Sequence, residues 1–84
     1  MTASQCVVEV RKNFSTLYKF GNGYKFMVYN PKFKAWQESA CFSTYQAAQC
    51  SRSRRMAEFG REMLGLPPIQ WVGGNWTQYF KEQQ

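Results

Sequence analysis

Between Phe20 and Gly65 the apolar spacing of this chain changes once, from a period of two to a period of about 3.6. That change dictates strands first and one long helix after them. Phe20-Gly21-Asn22-Gly23-Tyr24 sets glycine and asparagine, which tolerate positive φ, between two β-rich runs, and so predicts a tight hairpin. In the run that follows, Tyr24, Phe26 and Val28 share one face while Lys25, Met27 and Tyr29 share the other. Asn30-Pro31 turns the chain, because proline has no N–H to give a ladder, and a third run extends from Ala35 to Phe42. Ser43 with Gln46 has capping-box spacing, and Tyr45, Ala48, Met56, Phe59 and Met63 make one helical stripe. Gly65-Leu66-Pro67-Pro68 is a stop signal.

These signals predict a single α+β domain over residues 1–84: a small antiparallel sheet within 6–42, one long helix over 43–65, and an aromatic tail over 66–84. Whether the sheet has three or four strands depends on the N-terminus. Met1–Gln5 is expected to fray, while Cys6, Val8 and Val10 alternate with Val7, Glu9 and Arg11 as a strand would. A bulge would join that strand to 15–20; a turn near Asn13 would make it a fourth strand. At 84 residues the core is small enough that each large apolar side chain matters.

Ten of the eleven basic residues lie between Arg11 and Arg61, against two acids there, Glu38 and Glu58. The strand-and-helix unit therefore carries about +8, a field that attracts polyanions. Duplex DNA is the favoured partner, with an acidic protein surface next. A membrane is not expected, because no apolar run is long enough to span one. Histidine and aspartate are both absent, which removes the usual general base and most metal-ligand sets. No enzyme activity, metal or other cofactor is expected. Cys6, Cys41 and Cys50 have no metal-ligand spacing, and with no leader after Met1 they suit a reducing cytoplasm.

Two surfaces qualify as sites for nucleic acid. The sheet face turned away from the helix is expected to present Lys19, Lys25, Tyr29, Gln37 and Ser39, with Trp36, Ala40 and Phe42 turned inward. The helix offers Arg52-Ser53-Arg54-Arg55. Arg54 points away from the apolar stripe, whereas Arg52 falls inside it and needs either to snorkel or to pair with Glu9 or Glu38. Gly60 within the helix marks a close approach, a kink or an early end.

Phe20-Gly21-Asn22-Gly23-Tyr24, Val28-Tyr29, Phe42-Ser43-Thr44 and Ala47-Ala48 together resemble the arm-type DNA-binding domain at the N-terminus of phage-type tyrosine recombinases. The resemblance covers roughly residues 14–60. It implies a three-stranded sheet, backed by a helix, whose exposed face enters the major groove with Lys19, Lys25, Tyr29 and Gln37 as contacts. The third strand departs from that family by lacking its basic residues and carrying Glu38, and the tail has no counterpart in it.

The tail itself holds Trp71, Trp76, Tyr79 and Phe80, too aromatic for a linker. It either packs back with Trp71 and Trp76 partly buried, binds a partner, or closes a homodimer. Gly73-Gly74-Asn75 permits a hairpin, and Asn75 with Gln78 permits a short capped helix. A small basic domain with such a tail also resembles the short proteins with which phages block a host enzyme or defence complex, so inhibition of a protein partner is the alternative function.

Overall fold

The N-terminal segment forms a helix, α1 (Ala3–Lys12), and not the expected strand. Thr2 and Gln5 build a full capping box: Thr2 Oγ1 accepts from the Gln5 N–H at 3.2 Å and Gln5 Oε1 accepts from the Thr2 N–H at 2.9 Å. The terminus expected to fray thus carries the cap. Cys6 and Val10 are fully buried, and their spacing of four places both on one helical face. Packing of that face overrides the β preference of the valines. The structure, a computed structural model, describes residues 1–80; positions 81–84 of the expected tail lie outside the described residues.

Four short strands follow, β1 (Tyr18–Phe20), β2 (Gly23–Lys25), β3 (Met27–Asn30) and β4 (Ala35–Glu38), paired as two antiparallel two-stranded sheets. With the long helix α2 (Tyr45–Met63) they make an α+β fold. Gly21 has φ 57° at the first central position of the β1–β2 turn, a conformation that favours a residue without Cβ. Isolated bridges between Phe14 and Val28 and between Tyr24 and Phe42 tie the two sheets into one bent meander.

The bend has a countable cause. Along the middle segment Lys25 to Val28 is three steps, while their partners Tyr18 and Phe14 are four apart. On the other side Met27 to Tyr24 is three steps and the partners Glu38 and Phe42 are four apart. Each outer segment therefore carries one extra residue opposite Phe26, which is a β-bulge on both flanks. Two serines satisfy the interrupted ladder. Ser39 Oγ accepts from the Phe26 N–H and donates to the Ala40 carbonyl, both at 3.0 Å. Ser15 Oγ accepts from the Met27 N–H at 2.7 Å and donates to the Thr16 carbonyl at 2.9 Å.

Phe26 sits at that bend, fully buried, in a core with Cys6, Val10, Phe14, Met56, Ala57, Trp76 and Phe80. Phe14 lies offset from Phe26 (6.4 Å, 30°) and edge-on to Phe59 (5.8 Å, 85°). Each fully buried large side chain stabilises the fold by roughly 1.5–3 kcal/mol relative to exposure.

The cap of α2 is Thr44, whose Oγ1 accepts from the Ala47 N–H at 3.1 Å, and not the expected Ser43 and Gln46 pair. The helix stops as its Gly-Leu-Pro-Pro signal requires: Leu66 N–H reaches the Arg61 carbonyl (2.9 Å) and Gly65 N–H the Glu62 carbonyl (3.1 Å), a Schellman motif. The tail then returns. A 3₁₀ helix, Trp76–Phe80, docks on α2 and α1. Its start is held by Asn75 Oδ1, which accepts from the N–H and hydroxyl of Thr77. Gly60 is where this helix arrives, since a Cβ at that position would overlap the Phe80 ring. Of the three roles open to Gly60, close approach is the one realised, and α2 runs on past it. The Cys6 thiol donates to the Gly60 carbonyl at 3.4 Å, and burial pushes its pKa upward, so it keeps its proton.

Candidate functional site

Register assigns the side chains of the meander to faces. Tyr18 stands opposite Lys25, Phe20 opposite Gly23, Met27 opposite Glu38 and Tyr29 opposite Trp36. Because directly opposed residues share a face, Tyr18, Phe20, Lys25, Met27, Tyr29, Trp36 and Glu38 form the side turned away from α2. Lys19 stands opposite Tyr24, and Gln37 opposite Val28, so both belong to the other side.

This corrects the expected surface in a specific way. Of Lys19, Lys25, Tyr29 and Gln37, only Lys25 and Tyr29 are brought together on the outward face. Trp36, expected inward, points out; Ser39, expected outward, is 7% exposed. Phe42 does face in, parallel to Phe26 at 6.3 Å and 7°. The extra residue between Glu38 and Phe42 reverses the parity of everything before it, and a period-two count carried through that bulge puts Trp36 and Gln37 on the wrong sides.

The outward face is aromatic and partly locked. Tyr29 and Trp36 rings meet at 5.5 Å and 60°, and the Tyr18 hydroxyl donates to Met27 Sδ at 3.5 Å. Lys25 Nζ lies 3.9 Å from the Phe20 ring centre and 3.2 Å from Glu38 Oε2, with its side chain only 13% exposed. It is held within the face. On the other side Gln37 Oε1 accepts from Asn30 Nδ2 at 3.4 Å. The described part of the tail, through Phe80, docks on the helices, and on the outward face Phe20 is 51% and Trp36 47% exposed.

Beyond β3 the turn 31–34 adds residues that the strand pattern alone did not single out. Asn30 Oδ1 accepts from the Lys32 N–H at 2.9 Å, and Lys34 takes a left-handed φ of 50°. Between them Phe33 is 71% exposed. The run Lys32-Phe33-Lys34 after Asn30-Pro31 is the signal that could have marked it, a ring between two cations at a turn. Among the described residues the ion pairs are Lys12 with Glu9, Lys25 with Glu38 and Arg54 with Glu58, so Lys19, Lys32 and Lys34 make none.

The helix arginines do not converge on one point. Arg52 Nε donates to the Ser15 carbonyl at 2.7 Å, in place of either expected carboxylate. Burial lowers its pKa from the ordinary guanidinium value; Tyr45 opposes that shift and Arg11 adds to it. Arg54 pairs with Glu58 at 2.9 Å one turn on, and Arg55 lies over the Phe26 ring at 5.6 Å.

In the tail, Trp76 and Phe80 are buried and Trp71 is half-buried against Tyr79 at 4.9 Å. The Tyr79 hydroxyl donates to the Gly73 carbonyl at 2.6 Å. Arg61 clamps the returning chain, donating to the carbonyls of Pro67 and Tyr79, each at 2.8 Å. A groove of about 650 Å³ opens beside it, lined by Arg61, Pro67, Pro68, Ile69, Val72 and Tyr79 among others.

Among the described residues no group of three histidine, cysteine or glutamate side chains is placed to hold a metal, and no helix is long and apolar enough to cross a membrane. No protein-family model, curated protein or solved structure matches this chain.

Proposed function

We propose that this chain is a non-enzymatic nucleic-acid-binding module that engages its ligand through the strand layer. One observation carries this: among the described residues Lys19, Lys32 and Lys34 make no ion pair, and the strand layer that bears them keeps Phe20, Phe33 and Trp36 exposed. Unneutralised lysines beside exposed rings are what a phosphate backbone with bases requires. The layering of a strand meander on one helix is also what the arm-type resemblance implies for residues 14–60. The helix arginines Arg52, Arg54 and Arg55 have a smaller part, because each already holds a carbonyl, a carboxylate or a ring.

Anisotropy titration with labelled random-sequence DNA, duplex and single-stranded, tests this at about 50 and 200 mM salt. Three phosphate contacts predict a loss of roughly 20- to 40-fold over that range through counterion release. Failure of both forms to bind at the lower salt removes the nucleic-acid reading.

A second function, blocking a protein partner through the tail, is supported by Val72, 83% exposed at the rim of the groove near Pro67 and Ile69. It rests on fewer residues than the sequence suggests, since Trp76 and Phe80 are taken up by the core. A Val72→Asp variant that loses a captured partner while retaining DNA binding would establish it.

A further inference from the structure

The outward face holds four rings, Tyr18, Phe20, Tyr29 and Trp36, and one aliphatic side chain, Met27. Its two charged groups, Lys25 and Glu38, are paired with one another. Base edges in a duplex groove are read by hydrogen-bonding side chains, chiefly arginine, lysine, asparagine and glutamine. The outward face carries none of these in free form: Lys25 is held, and Asn30 and Gln37 lie on the opposite side, bonded to each other. What it does carry is ring surface. The Tyr29 and Trp36 planes are tilted by 60°, and nearly half of Trp36 is open to solvent. At the end of the same hairpin, Phe33 stands exposed between Lys32 and Lys34.

We infer that the ligand of this face is single-stranded nucleic acid, whose unpaired bases stack on Trp36 and Phe33 while Lys32 and Lys34 neutralise the adjoining phosphates. The inference rests on the nucleic-acid function proposed above and specifies the form of ligand. Every base has a π-face, so stacking needs no particular sequence, whereas a paired base offers no such face to an open sheet. Charge complementarity favours this occupant over an apolar protein surface: among the described residues Lys32 and Lys34 make no ion pair, and the single acid on the face is already neutralised. A flat apolar partner would leave the two turn lysines desolvated without counter-charge.

The test uses the full chain with labelled oligo(dT) and oligo(rU) of about 15 nucleotides, and a duplex of the same length. At equal salt both single strands should bind more tightly than the duplex, and their ratio separates DNA from RNA as the source of the bases. Replacing one stacking ring should weaken single-strand binding by roughly 5- to 150-fold, so Trp36→Ala is expected to fall in that range. Trp36→Phe should keep most of the affinity while losing the ligand-induced quenching of tryptophan emission, a signature that a merely structural role would not produce. The double variant Lys32→Ala with Lys34→Ala should flatten the salt dependence of log Kd by about 1.4, two single-strand phosphate contacts at roughly 0.7 each. Gln37→Ala should change nothing. A duplex bound as tightly as the single strands, or a loss with Gln37→Ala that Trp36→Ala does not show, overturns the single-strand assignment and leaves nucleic-acid binding standing. No binding by any of the three ligands removes both.

Discussion

Trp76 and Phe80 in the helical half are each less than a tenth exposed, whereas all four residues of β4 are exposed and Trp36 keeps 47% of its surface in water. One chain thus uses the same residue types in two ways. Where α1, α2 and the 3₁₀ helix meet, rings interlock with sulfur and glycine at close range, and their burial supplies the stability. In the β3–β4 hairpin, which packs chiefly on itself, rings sit on a pleat with a free outer side. Stability and the proposed ligand contact therefore fall in different halves, so they can be altered separately.

The largest expected effect comes from removing the residue that joins them. Phe26→Ala empties the fully buried position at the bend and should lower stability by about 3–5 kcal/mol, read from urea or thermal unfolding. A loss below about 1 kcal/mol would mean that the helical half holds without the meander. Gly60→Ala drives a methyl into the Phe80 ring and should cost about 3 kcal/mol. Pairing it with Phe80→Leu should recover part of that loss, and strict additivity in the double-mutant cycle would show that the two do not touch. Ser39→Ala leaves the Phe26 N–H without its acceptor, at about 1–3 kcal/mol by the same unfolding measurement. Smallest is Trp36→Ala: only a cross-strand pair with Tyr29 is lost, less than about 1 kcal/mol. A melting temperature that falls as far for Trp36→Ala as for Gly60→Ala would erase the distinction between the halves.

The elements with strong local chemistry were readable from sequence. The Gly21-Asn22 turn and the Gly65 stop follow from residues whose preference agrees with their tertiary place, whereas the return of the aromatic tail was one of three outcomes its rings allowed. The N-terminal helix was not readable, because Cys6, Val8 and Val10 satisfy a period of two while Cys6 and Val10 equally satisfy a spacing of four. Valines tilted the choice toward a strand, and the Thr2 and Gln5 box, which decides it, lies in the segment expected to fray. The site was half legible. Lys25 and Tyr29 were placed on the correct face, but the bulge at Ser39 to Cys41 has no residue signature, and it alone moves Trp36 outward and Gln37 in. Phe33 with its two lysines was passed over as turn.

The bond from Cys6 to Gly60 spans 54 residues, and its consequence lies in the order of folding. The β1–β2 and β3–β4 hairpins close short loops, which takes microseconds, whereas joining α1 to the far end of α2 must first meet the entropy of a long loop. Isolated two-stranded hairpins are marginal in water, so they form and dissolve repeatedly until that distant contact is made. Loop entropy thus makes the docking of the first helix a costlier closure than either hairpin.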